Sequence, residues 1–178
     1  MRWILFAVLL PGPAFAACPD LPDRSPELEA LFDAARAAPT EQAGRELSDR
    51  MWAIWTDPPD EAAGALLARG MAARRVFDSV GAIDAFDRLV DYCPDWAEGY
   101  NQRAFVYFLS AEFEKARIDL AATLEINPSH VGALSGMALT LAALGDEVGA
   151  QDWLKKALAL NPWIPERHML KPPAGEEL

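Results

Sequence analysis

From about residue 25 to residue 164 of this 178-residue chain, apolar positions recur every three or four residues, the spacing that gives a helix one buried face. Ser25-Pro26 pairs a cap with a first-turn proline and opens a helix running through about Ala38. Pro39-Thr40-Glu41 restarts the pattern in a second helix that carries Leu47, Met51, Trp52, Ile54 and Trp55. Asp57-Pro58-Pro59-Asp60 is a joint, and paired helices follow it. Asp78-Ser79, Ser110-Ala111-Glu112 and Gly145-Asp146 are residues that end one helix and cap the next. Pro94, Pro128 and Pro162 close the second helix of each pair and push the residue before them out of helical geometry. An all-α fold is expected, in line with a composition rich in Ala and Leu.

The pairs repeat. Pro94, Pro128 and Pro162 are 34 residues apart, and so are Ala82, Ala116 and Ala150. Four residues after each alanine stands a bulky group: Phe86, Leu120 and Leu154. Gly70, Ala104 and Ala138 recur at the same interval, each four residues after Leu66, Tyr100 or Leu134. Small residues belong where two helices approach closely, and bulky ones fill the space one turn later. Segments 63–96, 97–130 and 131–164 therefore resemble three consecutive tetratricopeptide repeats of an exported bacterial protein. The resemblance implies an α-solenoid over 60–164. Arg69 and Arg103 stand where that family has Leu, and Ala73 replaces an aromatic. The first unit is expected to pack less regularly, and the two arginines to form intramolecular ion pairs or cap helix carbonyls. Ala43 and Leu47 repeat the Ala-to-Leu spacing, so 25–59 reads as a degenerate hairpin that caps the first repeat, as terminal units of solenoids do. Within 165–178, the amphipathic stretch through Leu170 is expected to fold back over the last repeat, and Lys171 to Leu178 to be a solvated tail.

The first residues change the picture of where this domain works. Met1-Arg2 is basic, Trp3 to Leu10 is apolar, Pro11-Gly12-Pro13 breaks the run, and Ala14-Phe15-Ala16 offers small residues around a large one. That order is a secretory signal peptide over 1–16. Eight apolar residues rise only about 12 Å as a helix, short of a bilayer core. Residues 17–24 are expected to be extended. Cys18 and Cys93 are the only cysteines, and in the oxidising periplasm expected as the destination an even count favours a disulfide between them. Phe15-Ala16-Ala17-Cys18 also resembles a lipobox, in which Cys18 would carry lipid.

Charge and chemistry narrow the function. A net charge of -11 speaks against nucleic acid, whose phosphates need a concentrated positive surface. His130 and His168 have no cysteine or second histidine at ligand spacing, so no metal and no cofactor is expected. Gly-rich phosphate loops and nucleophile elbows do not occur. A small hydrolytic enzyme is the remote alternative, and catalysis is not expected.

The resemblance implies a concave groove lined by the first helix of each unit. Carried over, the lining is Leu67, Met71, Arg74 and Arg75, then Glu98, Asn101, Phe105, Phe108 and Leu109, then Ser135, Leu139 and Ala142. Asn101 could bond a peptide backbone and the arginines a carboxylate. The lysine and asparagine clamp of chaperone-binding members is missing, with Leu67, Met71, Phe105, Ser135 and Leu139 in its places. The expected function is an adaptor or scaffold for a peptide or protein of the cell envelope, working as a monomer or weak homo-oligomer. Phe105, Phe108 and Leu109 would serve equally as core beneath the N-terminal helices, so a self-associating module with a self-occupied groove stands beside that reading.

Overall fold

The computed structural model describes residues 18–171. The expected leader over 1–16 and the tail from residue 172 onward lie outside them. Among the described residues there are eight α-helices and no strand: α1 (Ser25–Ala37), α2 (Glu41–Trp55), α3 (Glu61–Arg75), α4 (Ser79–Tyr92), α5 (Ala97–Leu109), α6 (Phe113–Ile126), α7 (Val131–Ala143) and α8 (Glu147–Leu160), followed by a 3-10 turn at Pro165–Met169. None of these helices is long and apolar enough to cross a membrane.

The three repeats form as α3–α4, α5–α6 and α7–α8, and α4 packs on α5 and α6 on α7 to stack them. First helices also touch, α3 with α5 and α5 with α7, which builds a continuous inner wall. Each turn within a unit uses one left-handed residue, Phe77 (φ 61°), Ala111 (φ 57°) and Gly145 (φ 87°). The following N–H then reaches back five residues: Asp78 to the Ala73 carbonyl, Glu112 to Tyr107 and Asp146 to Leu141, at 2.9–3.0 Å. These are Schellman closures. Asp78 and Asp146 also cap the next helix, accepting from the Gly81 and Gly149 N–H at 2.9 Å.

Ala82, Ala116 and Ala150 are buried, as are Phe86, Leu120 and Leu154 one turn on. The first unit is no looser than the others, for Ala63, Ala82, Phe86 and Leu89 are fully buried. A Cβ built on Gly70 would lie 2.4 Å from the Phe86 ring, so that unit balances its largest side chain with its smallest.

The N-terminal hairpin departs from expectation. It does not continue the stack ahead of α3 as a cap. Instead α1 packs on α8, at the far end of the solenoid. Trp96, His130 and Ile164 each precede or open a unit boundary at the 34-residue interval, and all three are buried. α2 runs along this row. Trp55 stacks on His130 with ring centroids 4.3 Å apart, and its carbonyl accepts from Trp96 Nε1 at 3.2 Å. Two turns back, Ser48 Oγ accepts from Asn161 Nδ2 at 2.7 Å, and a further turn back Gly44 lies beneath Trp163. Trp163 Nε1 donates to the Ala35 carbonyl of α1 at 2.9 Å. The hairpin is a lengthwise brace across the unit boundaries. Cys18 and Cys93 are bonded, with Cα atoms 5.1 Å apart, so residues 18–24 form a strap from the first repeat to α1. The segment after Pro162 folds back on α8, where Gln151 Nε2 donates to the Met169 carbonyl at 3.0 Å.

Candidate functional site

The brace divides the concave wall. Its lower part, near the unit boundaries, is covered by α2. Glu98 is 1% exposed, Asn101 and Ser135 are buried, and Leu67 belongs to the core around Phe86. Leu67, Glu98 and Ser135 are closed off from a partner, while Asn101, though buried, lines the pocket between α2, α5 and α7.

A polar network explains why a carboxylate tolerates that depth. Glu98 Oε2 accepts from Asn101 Nδ2 at 3.1 Å, and Oε1 accepts from Gln102 Nε2. His130 Nδ1 accepts the Ala133 N–H at 3.1 Å, which leaves Nε2 as the protonated nitrogen of a neutral ring. Nε2 therefore donates to Glu98 Oε2 at 3.0 Å. Arg74 Nη1 donates to Gln102 Oε1 and ends the chain. Burial holds the Arg74 guanidinium below its usual value, with Glu98 opposing the shift and Arg75 adding to it. A buried carboxylate with three donors fixes α5 against α7 and is structural rather than catalytic in placement.

The upper part of the wall is open. Phe105 is 47% and Leu109 56% exposed, Arg75 is exposed, and Met71, Arg74, Phe108, Leu139 and Ala142 are half-buried. Between α2, α5 and α7 lies an apolar pocket of about 210 Å³, walled chiefly by Trp52, Phe105, Phe108, Leu120 and Leu139. A cavity of about 150 Å³ takes a benzene ring, so this one takes an aromatic or branched side chain. The Arg74 guanidinium sits over Phe105, 4.7 Å from the ring centroid, and puts positive charge at the pocket's rim. Met71 and Ala142 lie outside this pocket's lining. Asn101, an expected groove residue, also lines it, and Trp52, Gln102 and Thr140 are among the lining residues that were not expected there. Trp52 and Met51 are neighbours on an amphipathic helix, and only the docking of α2 determines that Met51 enters the core while Trp52 faces the groove.

The two arginines at unusual repeat positions differ. Arg103 Nε and Nη2 each reach a different oxygen of Asp119 at 2.7 Å, and Nη1 reaches Asp87 at 2.8 Å. These pairs, led by Asp119, raise the Arg103 pKa above its ordinary value. Arg69 lies 4.0 Å from Asp84 on an exposed face. Among the described residues no group of three potential metal ligands converges.

Comparison with known proteins agrees with this architecture. A TPR repeat-containing protein of Rhizobium etli is 28% identical over 127 residues, covering 71% of this chain and 62% of that relative. A tetratricopeptide repeat protein 36 homolog of Nematostella vectensis is 34% identical over 65 residues, 36% of each chain. The chain thus spans less than two thirds of the length of either relative. No family model matches. Among solved structures, the first TPR of Spaghetti (RPAP3) bound to HSP90 peptide SRMEEVD superposes with a TM-score of 0.59 at 24% identity, covering 61% of this chain and 89% of that one. The chain has the tetratricopeptide-repeat fold. MamA, another solved structure with likeness to this tetratricopeptide fold, has a TM-score of 0.53 at 24% identity and covers 74% of each chain.

Proposed function

We propose that this protein of tetratricopeptide-repeat fold is an exported adaptor whose upper concave wall holds a peptide or protein of the cell envelope. The observation that carries the reading is the pocket of about 210 Å³ beneath Trp52 and Phe105, left open where α2 covers the rest of the wall. An apolar pocket with aromatic walls and a few polar groups at its edge is what an anchor side chain needs. Arg74 and Arg75 stand beside it in a chain of net charge -11, so the partner's anchor is expected to lie near a carboxylate. Leu67, Met71, Phe105, Ser135 and Leu139 stand in place of the lysine–asparagine clamp, so a peptide like the HSP90 peptide held by the Spaghetti domain is not the expected ligand. Export rests on the order of Met1 to Ala16 and on Cys18 paired with Cys93, with lipid attachment at Cys18 as the alternative destination for that thiol.

The test is affinity capture from envelope extract followed by titration of the captured partner. Phe105→Ala is expected to weaken binding about tenfold, the scale of an aromatic hot spot. Arg74→Gln is expected to weaken it less while leaving the fold intact. A partner that binds both variants as tightly as the parent would remove the upper wall from the function.

A further inference from the structure

We infer that two copies of this chain pair through the upper edge of the first repeat, each setting Phe77 into the Trp52–Phe105 pocket of the other. Phe77 is the starting point. It is 91% exposed, with Val76 at 73% and Val80 at 82% beside it. It also occupies the left-handed turn position that holds Ala111 and Gly145 in the other units. For a bulky residue that backbone geometry is unfavourable, and the turn itself asks only for a small residue. Phe77 thus stands against both backbone preference and hydration, and contiguous exposed apolar groups of this kind mark contact surfaces.

The second copy is indicated because knob and hole lie on one face. Phe77 follows Arg74 by three residues, and its N–H bonds the Arg74 carbonyl, while the Arg74 side chain lies on Phe105 at the pocket rim. The pocket exceeds the volume that holds a benzene ring. A protruding ring next to a ring-sized hole is self-complementary, as a two-fold contact requires. Charge matches in the same sense. The knob side carries Arg75, and α2 carries Asp49 one turn before the pocket residue Trp52. Both are exposed, and neither makes an ion pair among the described residues. A two-fold axis through this face brings Arg75 of each copy toward Asp49 of the other. This contact stands whichever partner the groove takes, and a partner seated in the pocket would compete with it.

Sedimentation of the purified, disulfide-bonded protein over a concentration series reads the outcome. A concentration-dependent dimer is expected, with Phe77→Ser raising its dissociation constant at least tenfold. Phe77 touches too little for that change to unfold the chain, and circular dichroism checks this. Arg75→Asp and Asp49→Arg are each expected to weaken the dimer a few-fold, and the two together to restore it. A monomer at every concentration, a dimer indifferent to Phe77→Ser, or no recovery in the double reversal would overturn the proposal. So would a monomer that floats with phosphatidylethanolamine–phosphatidylglycerol vesicles through Phe77, which would assign the patch to a lipid surface.

Discussion

Gly70 and Phe86 show how a single position is decided here. The equivalent pairs are Ala104 with Leu120 and Ala138 with Leu154, so a smaller residue on the first helix accompanies a larger one on the second. Ala would favour the helix over Gly by about 1 kcal/mol, but its Cβ would meet the Phe86 ring at 2.4 Å in a fully buried site. Overpacking of that kind costs about 1–3 kcal/mol, so Gly70→Ala is expected to lower stability in thermal or denaturant unfolding. Adding Phe86→Leu, which copies the other units, is expected to recover most of the loss. Arg103 is decided differently. Its partner Asp119 has a side chain only 6% exposed, and Arg103→Met would leave that charge unpaired. A loss of about 3 kcal/mol is expected by urea unfolding, toward the lower end for a broken buried pair because Arg103 itself is partly solvated. The left-handed turn residues, the aspartate caps and the small-to-large pairing all act within one unit, and that locality is why the sequence pattern reveals them.

Between elements the picture is less local. The hairpin is written plainly in Ser25-Pro26, Thr40 and the apolar stripe of α2, yet its destination is not. Ser48 meets Asn161 across 113 residues and Ala35 meets Trp163 across 128. Contacts at such separation leave no period in the chain, so a hairpin preceding repeats reads as their cap. The same gap hid Trp52 in the pocket and the closure of Glu98 and Ser135, because which face α2 covers depends on where Trp163 anchors it. A Cβ on Gly44 would sit 2.1 Å from Trp163 Cγ. Gly44→Ala is therefore expected to unseat the hairpin at its far end. Hydrogen exchange should then show α1 and α2 losing protection while α3 to α6 keep theirs. Unchanged protection in α1 and α2 would mean that Trp163 does not anchor the brace. The disulfide holds the other end, and closing a loop of 75 residues contributes about 4 kcal/mol in the chain-entropy model.

At the scale of the whole molecule, three stacked repeats make a curved wall and the hairpin fixes its pitch by binding the row of unit boundaries. What remains for a partner is the upper wall, with Phe105, Phe108 and Leu139 from the repeats and Trp52 from the brace. The first turns of the inner-wall helices are occupied from within, and the later turns are open. The measurement that tests this most directly is site-specific photocrosslinking in envelope extract, with the reactive group placed in turn at Phe105 and at Ile118, an exposed apolar residue of α6. The account predicts a discrete adduct from position 105 and none from position 118. Equal labelling from both positions, or adducts from 118 alone, would contradict it.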